Sequence, residues 1–279
     1  MFEWALLIIG VLGLGAAGYL DLKTTEFPDW LPYATIVAAL AVRGLASFFL
    51  ADFNIIIGSI VVGLVFLGIG YLLYFTRQWG DGDAWLLGVM GFLFPIGSFA
   101  TIIPQRFPFP LTLIFNFFLI SFFYLIGYSI IVGFRNPKAM NEFKKSLKLK
   151  YKGIVSIVGF FSVLTVLLVY FMYEFYGIGL QFTYTMFWIP VLLLFVLVFI
   201  NYGKVIESTV FRKRIDASEL RVGDVPLTDK WRVLKPAEVK ALKEKGGSVC
   251  IKEGVRLAPV FVITLVVSLF IGNLFLLII

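Results

Sequence analysis

The sequence contains no histidine and a single cysteine, Cys250, among its 279 residues. Without histidine, the chain cannot use a Ser-His or Cys-His catalytic pair, and it cannot bind a metal through imidazole. One cysteine forms neither a disulfide within the chain nor a cysteine-based zinc site. We therefore predict a protein that uses no metal and no other cofactor.

Charged residues are also scarce, at 15% of the chain, whereas apolar residues make up 60%. This balance is typical of a protein that crosses the lipid bilayer several times. The formal net charge is +7, but the basic excess lies between the apolar runs, so we do not expect nucleic acid as a partner. The first apolar run lacks the basic start and small-residue cleavage site of a secretory signal peptide, so we interpret it as a mature helix.

Eight apolar runs approach the ~20 residues that a helix needs to cross a bilayer. They predict an all-α polytopic membrane protein with about eight transmembrane helices. The predicted spans are 2–20, 30–50, 54–75, 84–103, 111–134, 153–176, 183–203 and 258–279.

The distribution of lysine and arginine predicts the orientation of the chain, because cytosolic loops are enriched in these residues. The stretch 135–152 contains seven of them and the stretch 204–257 contains thirteen, while Lys23 and Arg77 lie in two further loops on the same side. These four loops hold 22 of the 24 basic residues. We therefore predict that they are cytosolic and that both termini are outside. Arg43 lies inside the second span, where it could pair with a carboxylate or reach outward.

The chain divides by composition into three parts. Residues 1–203 form a predicted membrane domain of about seven helices, and residues 258–279 form the last transmembrane helix. Between them, 204–257 mixes charged with apolar residues and contains turn signals such as Gly246-Gly247. The run 235–243 has helical periodicity and a proline near its start. We predict a small mixed α/β cytosolic subdomain with one short helix and a few strands.

Two aspartates adjoin apolar runs at the predicted cytosolic face, Asp21 after the first run and Asp83 before the fourth. A charged side chain at mid-bilayer costs roughly 2.5–3.5 kcal/mol on insertion scales, so acids beside membrane spans indicate a functional site. Two carboxylates in contact cannot both be ionised. Instead, the pair shares one proton. The ionised partner can then take a proton from water while the other donates to a carbonyl oxygen. This pattern predicts peptide hydrolysis without a metal or a covalent intermediate.

Two glycines, Gly80 and Gly82, flank Asp81 directly before Asp83. They would let the backbone bend sharply and approach an extended substrate closely. A simpler interpretation stays open at this point. Asp81 and Asp83 could merely stabilise the start of the fourth span, because a helix N-terminus favours negative charge.

The stretch Gly80-Asp81-Gly82-Asp83 matches the Gly-x-Gly-Asp signature of intramembrane aspartic proteases. Residues 18–30 resemble the first-aspartate motif of type IV prepilin peptidases, in which an aspartate is followed about seven residues later by proline and then asparagine or aspartate. The two motif aspartates are 62 residues apart. Residues 252–261 and 221–226 resemble the archaeal members, the preflagellin and prepilin peptidases. The resemblance covers residues 1–103 and about 204–265.

The resemblance implies a membrane-embedded aspartic endopeptidase in the cell membrane, with its active site facing the cytosol. Asp21 and Asp83 would be catalytic, and Gly80 and Gly82 would support the motif. The substrates would be pilin or flagellin precursors, whose short basic leader is removed just before an apolar helix. Bacterial relatives often have paired cysteine motifs and methylate the new N-terminus, an activity that we do not expect with one cysteine.

A basic leader that approaches a basic protein surface needs acidic groups nearby. Glu26 and Asp29, in the loop after the first span, are the candidates for contacts with the leader. Asp29 could instead cap the second span, and either residue could belong to an ordinary solvated loop.

Two alternative functions stay open from the sequence. A presenilin-like or signal-peptide-peptidase-like protease shares Gly-x-Gly-Asp, but pairs it with Tyr-Asp and a Pro-Ala-Leu motif. Here Tyr19 is two residues before Asp21, and the late motif reads Leu257-Ala258-Pro259. A transporter or channel could use Asp21 and Asp83 as a proton or cation site, although transporters commonly show internal repeats and charges at the midplane. Cleavage of a substrate by the purified protein would separate the protease from the transporter.

Overall fold

Apolar runs of about twenty residues become helices, because in lipid a helix satisfies all its own backbone hydrogen bonds. A computed structural model describes residues 2–76, 78–97, 99–177, 184–220, 225–227, 234, 236–252 and 254–277. The helices are α1 (Phe2–Thr24), α2 (Trp30–Phe49), α3 (Asn54–Phe75), α4 (Asp81–Leu93), α5 (Phe109–Arg135), α6 (Pro137–Tyr176), α7 (Trp188–Thr209), α8 (Pro236–Lys245) and α9 (Ala258–Phe270). Short 3₁₀ turns cover Tyr184–Phe187, Ala217–Glu219 and Leu274–Leu277.

Six helices of the described chain are long and apolar enough to cross a membrane, namely α1, α2, α3, α5, α6 and the helix that includes α7. They confirm a mostly helical protein with several candidate spans. The count of eight spans is not confirmed, because the other two predicted spans form only short helices. α4 and α9 each have 13 residues and measure about 20 Å, less than the ~30 Å hydrocarbon core.

The prediction of a helix over 84–103 is wrong beyond Leu93, and the prediction over 258–279 is wrong beyond Phe270. α4 ends where Phe94 leaves the helical conformation, with φ −134° and ψ 78°, because the following Pro95 disfavours that conformation. After α9, Gly272 has a φ of 102°, a conformation that favours glycine. Residues 278–279 lie outside the described chain.

Several backbone groups beyond the two short helices form hydrogen bonds within the protein. The N–H groups of Ile102 and Ile103 donate to the carbonyls of Phe270 and Ile271, at 3.1 and 2.7 Å. Asn116 on α5, which is fully buried, donates to the Gly272 carbonyl at 2.7 Å. Its Oδ1 accepts the N–H of Leu274 at 2.9 Å. Irregular backbone at membrane depth is tolerated only where protein or a cavity surrounds it, and these contacts meet that condition.

Side chains from two neighbouring helices bind the last carbonyls of α4. Arg43 on α2 donates to the Leu93 carbonyl at 2.7 Å and forms an ion pair with Glu3 of α1 at 2.9 Å. Ser59 on α3 donates to the Phe92 carbonyl. Of the two possibilities that the sequence left open for Arg43, the structure shows the pairing with a carboxylate. The guanidinium also stabilises the C-terminus of α4.

The basic stretch 135–152 was expected to be a loop, and this expectation is wrong. α6 runs over 40 residues and includes it from Pro137 onward. The helix begins at Asn136, whose side chain accepts the N–H groups of Lys138 and Ala139, and proline is favourable in the first turn. Lysine and leucine are good helix formers, so the polar stretch continues directly into the apolar one.

The chain forms two compact units, residues 1–126 with 254–279, and residues 127–253. In the first unit, the core packs α1, α2, α3, α4, α5 and α9 around Leu14, Phe66, Met90, Phe117 and Phe261. The predicted division into a membrane domain at 1–203, a cytosolic subdomain and a last span was based on composition rather than on packing. It stays a prediction.

The second unit contains the long helices α6 and α7 and a small sheet. Its strands are β1 (Arg212–Asp216), β2 (Val225–Pro226) and β3 (Ser248–Lys252), in the antiparallel order β1-β3-β2. Apolar residues of the sheet, the nearby turn and α8 form a separate small core. One short helix and a few strands were predicted here. Residues 221–224, which belong to the motif at 221–226, lie outside the described residues.

Candidate active site

Asp21 lies in the last turn of α1 and binds the start of another helix. Its Oδ2 accepts the backbone N–H of Ala258, the first residue of α9, at 3.0 Å. Asp21 is only 8% exposed. A carboxylate is favourable at a helix N-terminus, where backbone N–H groups have no partner within the helix. Asp21 therefore joins the end of α1 to the beginning of α9.

Asp83 lies in the first turn of α4, outside the six helices long enough to span a bilayer. Its Oδ2 accepts the N–H of Gly80 at 3.2 Å, so the capping contact considered from the sequence is present. Burial raises the pKa of the Asp83 carboxyl to about 7; the hydrogen bond from Gly80 opposes this rise, and the negative charge of Asp21 adds to it.

The structure places the two predicted aspartates near enough for the charge of Asp21 to act on Asp83. Each carboxylate binds a backbone N–H at a helix start, Asp21 at α9 and Asp83 at α4, and α1, α4 and α9 pack against one another. The charge of Asp21 acts on Asp83. Two carboxylates that repel each other in this way favour a state with one shared proton, which can supply both an acid and a base.

Glycines without a side chain allow the helices of this site to approach closely. A Cβ atom on Gly18 would lie 3.0 Å from the Pro259 Cα, and one on Gly70 would lie 2.7 Å from the Ala84 Cα. Close approach at small residues is a general mode of helix packing in membranes. The first contact holds α9 against α1 beside Asp21, and the second holds the start of α4 against α3, one residue after Asp83.

We expect Gly70→Ala to destabilise the protein by about 1–3 kcal/mol, the usual cost of overpacking, and to lower activity by shifting the start of α4. Gly68→Ala is the matched control, because a Cβ on Gly68 meets nothing within 4 Å on the same helix. Thermal unfolding in detergent measures the difference. Equal unfolding temperatures for the two variants would show that the close contact at Gly70 does not stabilise the protein.

The other predicted site residues lie at the surface. Glu26 and Asp29 are exposed in the segment between α1 and α2. Asp29 is the residue before α2, but its side chain makes no capping hydrogen bond there. Asp81 is exposed at the first position of α4, and its charge acts on Tyr71 of α3. Gly82 lies against Phe27, since a Cβ would be 2.6 Å from the Phe27 Cζ.

The sequence reasoning assigned no role to Arg256, which the structure places beside Asp21. Its guanidinium donates to the Leu22 carbonyl, and its positive charge acts on Asp21. The hydroxyl of Tyr124 on α5 binds the Arg256 carbonyl at 2.7 Å. The motif at 252–261 was the available signal, although it did not indicate a contact with α1. Among the described residues, no group of three or more cysteine, aspartate or glutamate side chains could hold a metal ion.

Residues 8–130 match the sequence model of the type IV leader peptidase family. The match includes both aspartates and supports the family that the motifs indicated. Members of this family are proteases that act on precursor proteins. No curated protein and no solved structure gives a significant match to the chain. The resemblance over 204–265 lies outside the matched residues and stays a prediction.

Proposed function

On the premise that residues 8–130 belong to the type IV leader peptidase family, we propose that this multi-pass membrane protein is an aspartic endopeptidase. It removes the short basic leader from type IV prepilin-like or preflagellin precursors. Asp21 and Asp83 are its catalytic residues, and no metal or cofactor takes part. The proposal is supported above all by the placement of these two carboxylates, each of which accepts a backbone N–H at a helix start, with the charge of Asp21 acting on Asp83.

The proposed mechanism uses the proton that the aspartate pair shares. A carboxyl with a pKa of about 7, as at Asp83, is partly protonated at neutral pH and can donate to the scissile carbonyl oxygen. The ionised carboxylate of the pair takes a proton from water, which attacks the carbonyl carbon. The two steps produce a tetrahedral gem-diol. The carboxyl that took the proton from water then protonates the amide nitrogen, the carbon–nitrogen bond breaks, and a hydroxyl of the gem-diol returns its proton to the pair. The leader leaves with a new carboxyl terminus, and the mature precursor leaves with a new amino terminus.

The proposed site faces the cytosol. Support comes from the basic residues of 135–152 and 204–257, which the positive-inside rule places on that side. A precursor with its leader in the cytosol and its apolar helix in the bilayer presents the junction of the two at this face. Gly80 leaves room for an extended backbone beside Asp83, whereas Gly82 packs against Phe27. The exposed Glu26 and Asp29 can attract the basic leader.

The test is cleavage of a pilin-like precursor by the purified full-length protein in detergent. We expect the leader to be released and cleavage to persist in the presence of a chelator and of a thiol-blocking reagent, because the chain has no histidine and one cysteine. A precursor lacking its basic leader is the control. Failure to cleave would favour a transporter, a cut inside the apolar segment would favour a presenilin-like protease, and loss of activity in chelator restored by zinc would contradict the aspartate pair.

A further inference from the structure

A small cavity lies between α6 and α7, within the second unit and outside the residues that match the family. Its volume is about 140 Å³, and its lining consists of Lys150, Ile154, Leu197, Ile200, Asn201 and Lys204. The two lysines stand where the apolar parts of both helices end. Ile154, Leu197 and Ile200 lie on the apolar side of this boundary. The cavity therefore has a cationic end on the side of the basic stretches of the two helices and an aliphatic end on the side of their apolar stretches.

Asn201 is the buried polar residue of this cavity, with only 4% of its surface exposed. Its Oδ1 accepts hydrogen bonds from the Ser146 hydroxyl at 2.9 Å and from the Lys150 ammonium at 2.8 Å. Its Nδ2 is buried and has no hydrogen-bond partner among the described residues. An amide donor that is buried without an acceptor is unfavourable, so it indicates a missing acceptor.

We propose that this cavity binds the phosphate-bearing headgroup of an anionic lipid. The two ammonium groups supply charge, the Asn201 Nδ2 supplies a directed hydrogen bond, and the three aliphatic residues contact the acyl chain. Basic pockets between helices at the cytosolic surface suit anionic headgroups. The surrounding stretch 135–152 has seven basic residues and one acid, Glu142, which pairs with Lys145 at 2.9 Å.

A free phosphate offers the same oxygen atoms, but the lining favours the lipid. Half of the residues around the cavity are aliphatic. They lie next to the cationic end, on the side of the apolar stretches of the two helices. An inorganic anion would leave these residues without a partner, whereas an acyl chain covers them.

The test counts bound phosphatidylglycerol by native mass spectrometry on the full-length protein in neutral detergent. We expect the double variant Lys150→Gln, Lys204→Gln to bind it about tenfold or more weakly, because each lysine contributes to the attraction of an anionic lipid. The matched control is Lys148→Gln, Lys152→Gln, which loses the same charge from exposed positions outside the cavity. It should bind within about twofold of the wild type.

A variant without any change in charge separates the cavity from general surface attraction. Asn201→Leu removes the amide donor, and we expect it to weaken phosphatidylglycerol binding about fivefold or more. Phosphatidylcholine should not compete, and a tenfold excess of inorganic phosphate should not displace the lipid. Equal loss in the two double variants, displacement by inorganic phosphate, or wild-type binding by a folded Asn201→Leu protein would each overturn the proposal. If Asn201→Leu does not fold, the comparison of the two double variants decides.

Discussion

Replacing either Asp21 or Asp83 by asparagine should abolish removal of the leader, by on the order of 10³-fold or more, whereas Asp81→Asn should leave substantial activity. Asparagine cannot share the proton that the pair needs, but its amide oxygen can still accept the N–H of Ala258 or of Gly80. Both variants should therefore insert and fold. Asp81 is the matched control, because it is an exposed acid in the same turn of α4 as Asp83.

The double variant Asp21→Asn, Asp83→Asn should be no less active than either single variant, because residues that act as a unit have non-additive effects. The measurement is the fraction of precursor cleaved in membranes at matched protein levels. An inactive Asp81→Asn with an active Asp83→Asn would show that the assignment within the tetrad is wrong. Normal cleavage by all three single variants would exclude an aspartic protease of this kind.

The second large effect is expected at Arg43, far from the reacting groups. Arg43→Met leaves Glu3 without its cation and the Leu93 carbonyl without its donor. Removal of one partner from a buried ion pair costs about 3–5 kcal/mol, and we expect the lower end because the Glu3 side chain is 32% exposed. Since Leu93 ends the helix that begins with Asp83, activity should fall as well.

Two further variants isolate this role of Arg43. Arg106→Met removes an exposed arginine and should change stability by less than about 0.5 kcal/mol. The double variant Glu3→Gln, Arg43→Met should be more stable than Arg43→Met, because it leaves no unpaired charge. Unfolding by increasing amounts of denaturing detergent gives these differences. If Arg43→Met unfolds at the same point as Arg106→Met, the contact at the end of α4 does not stabilise the protein.

Much of the architecture could be predicted because lipid imposes simple rules on length and polarity. The candidate spans follow from runs of about twenty apolar residues, and the small sheet with its short helix follows from the mixed composition of 204–257. The ends of α4 and α9 were missed because the apolar sequence continues past both. Hydropathy does not record where a helix stops. The local signals were Pro95 and Gly272, which were present but were outweighed by the apolar pattern.

The site could be predicted in part for a related reason. Isolated acids beside apolar runs are costly, so Asp21 and Asp83 were conspicuous in the sequence. Their partners were not, because the N–H of Ala258 is 237 positions away from Asp21 and the contribution of Arg256 depends on how α9 packs on α1. Asn201 and the two lysines of the cavity could not be identified from the sequence for the same reason, since their proximity depends on the pairing of α6 with α7.

The most direct test of the central claim is the new N-terminus of a precursor co-expressed with this protein, determined by mass spectrometry. We expect a single cut between the basic leader and the apolar helix, present with the wild-type protein and absent with Asp83→Asn at the same protein level. An uncut precursor with the wild-type protein, or the same cut with Asp83→Asn, would contradict the account.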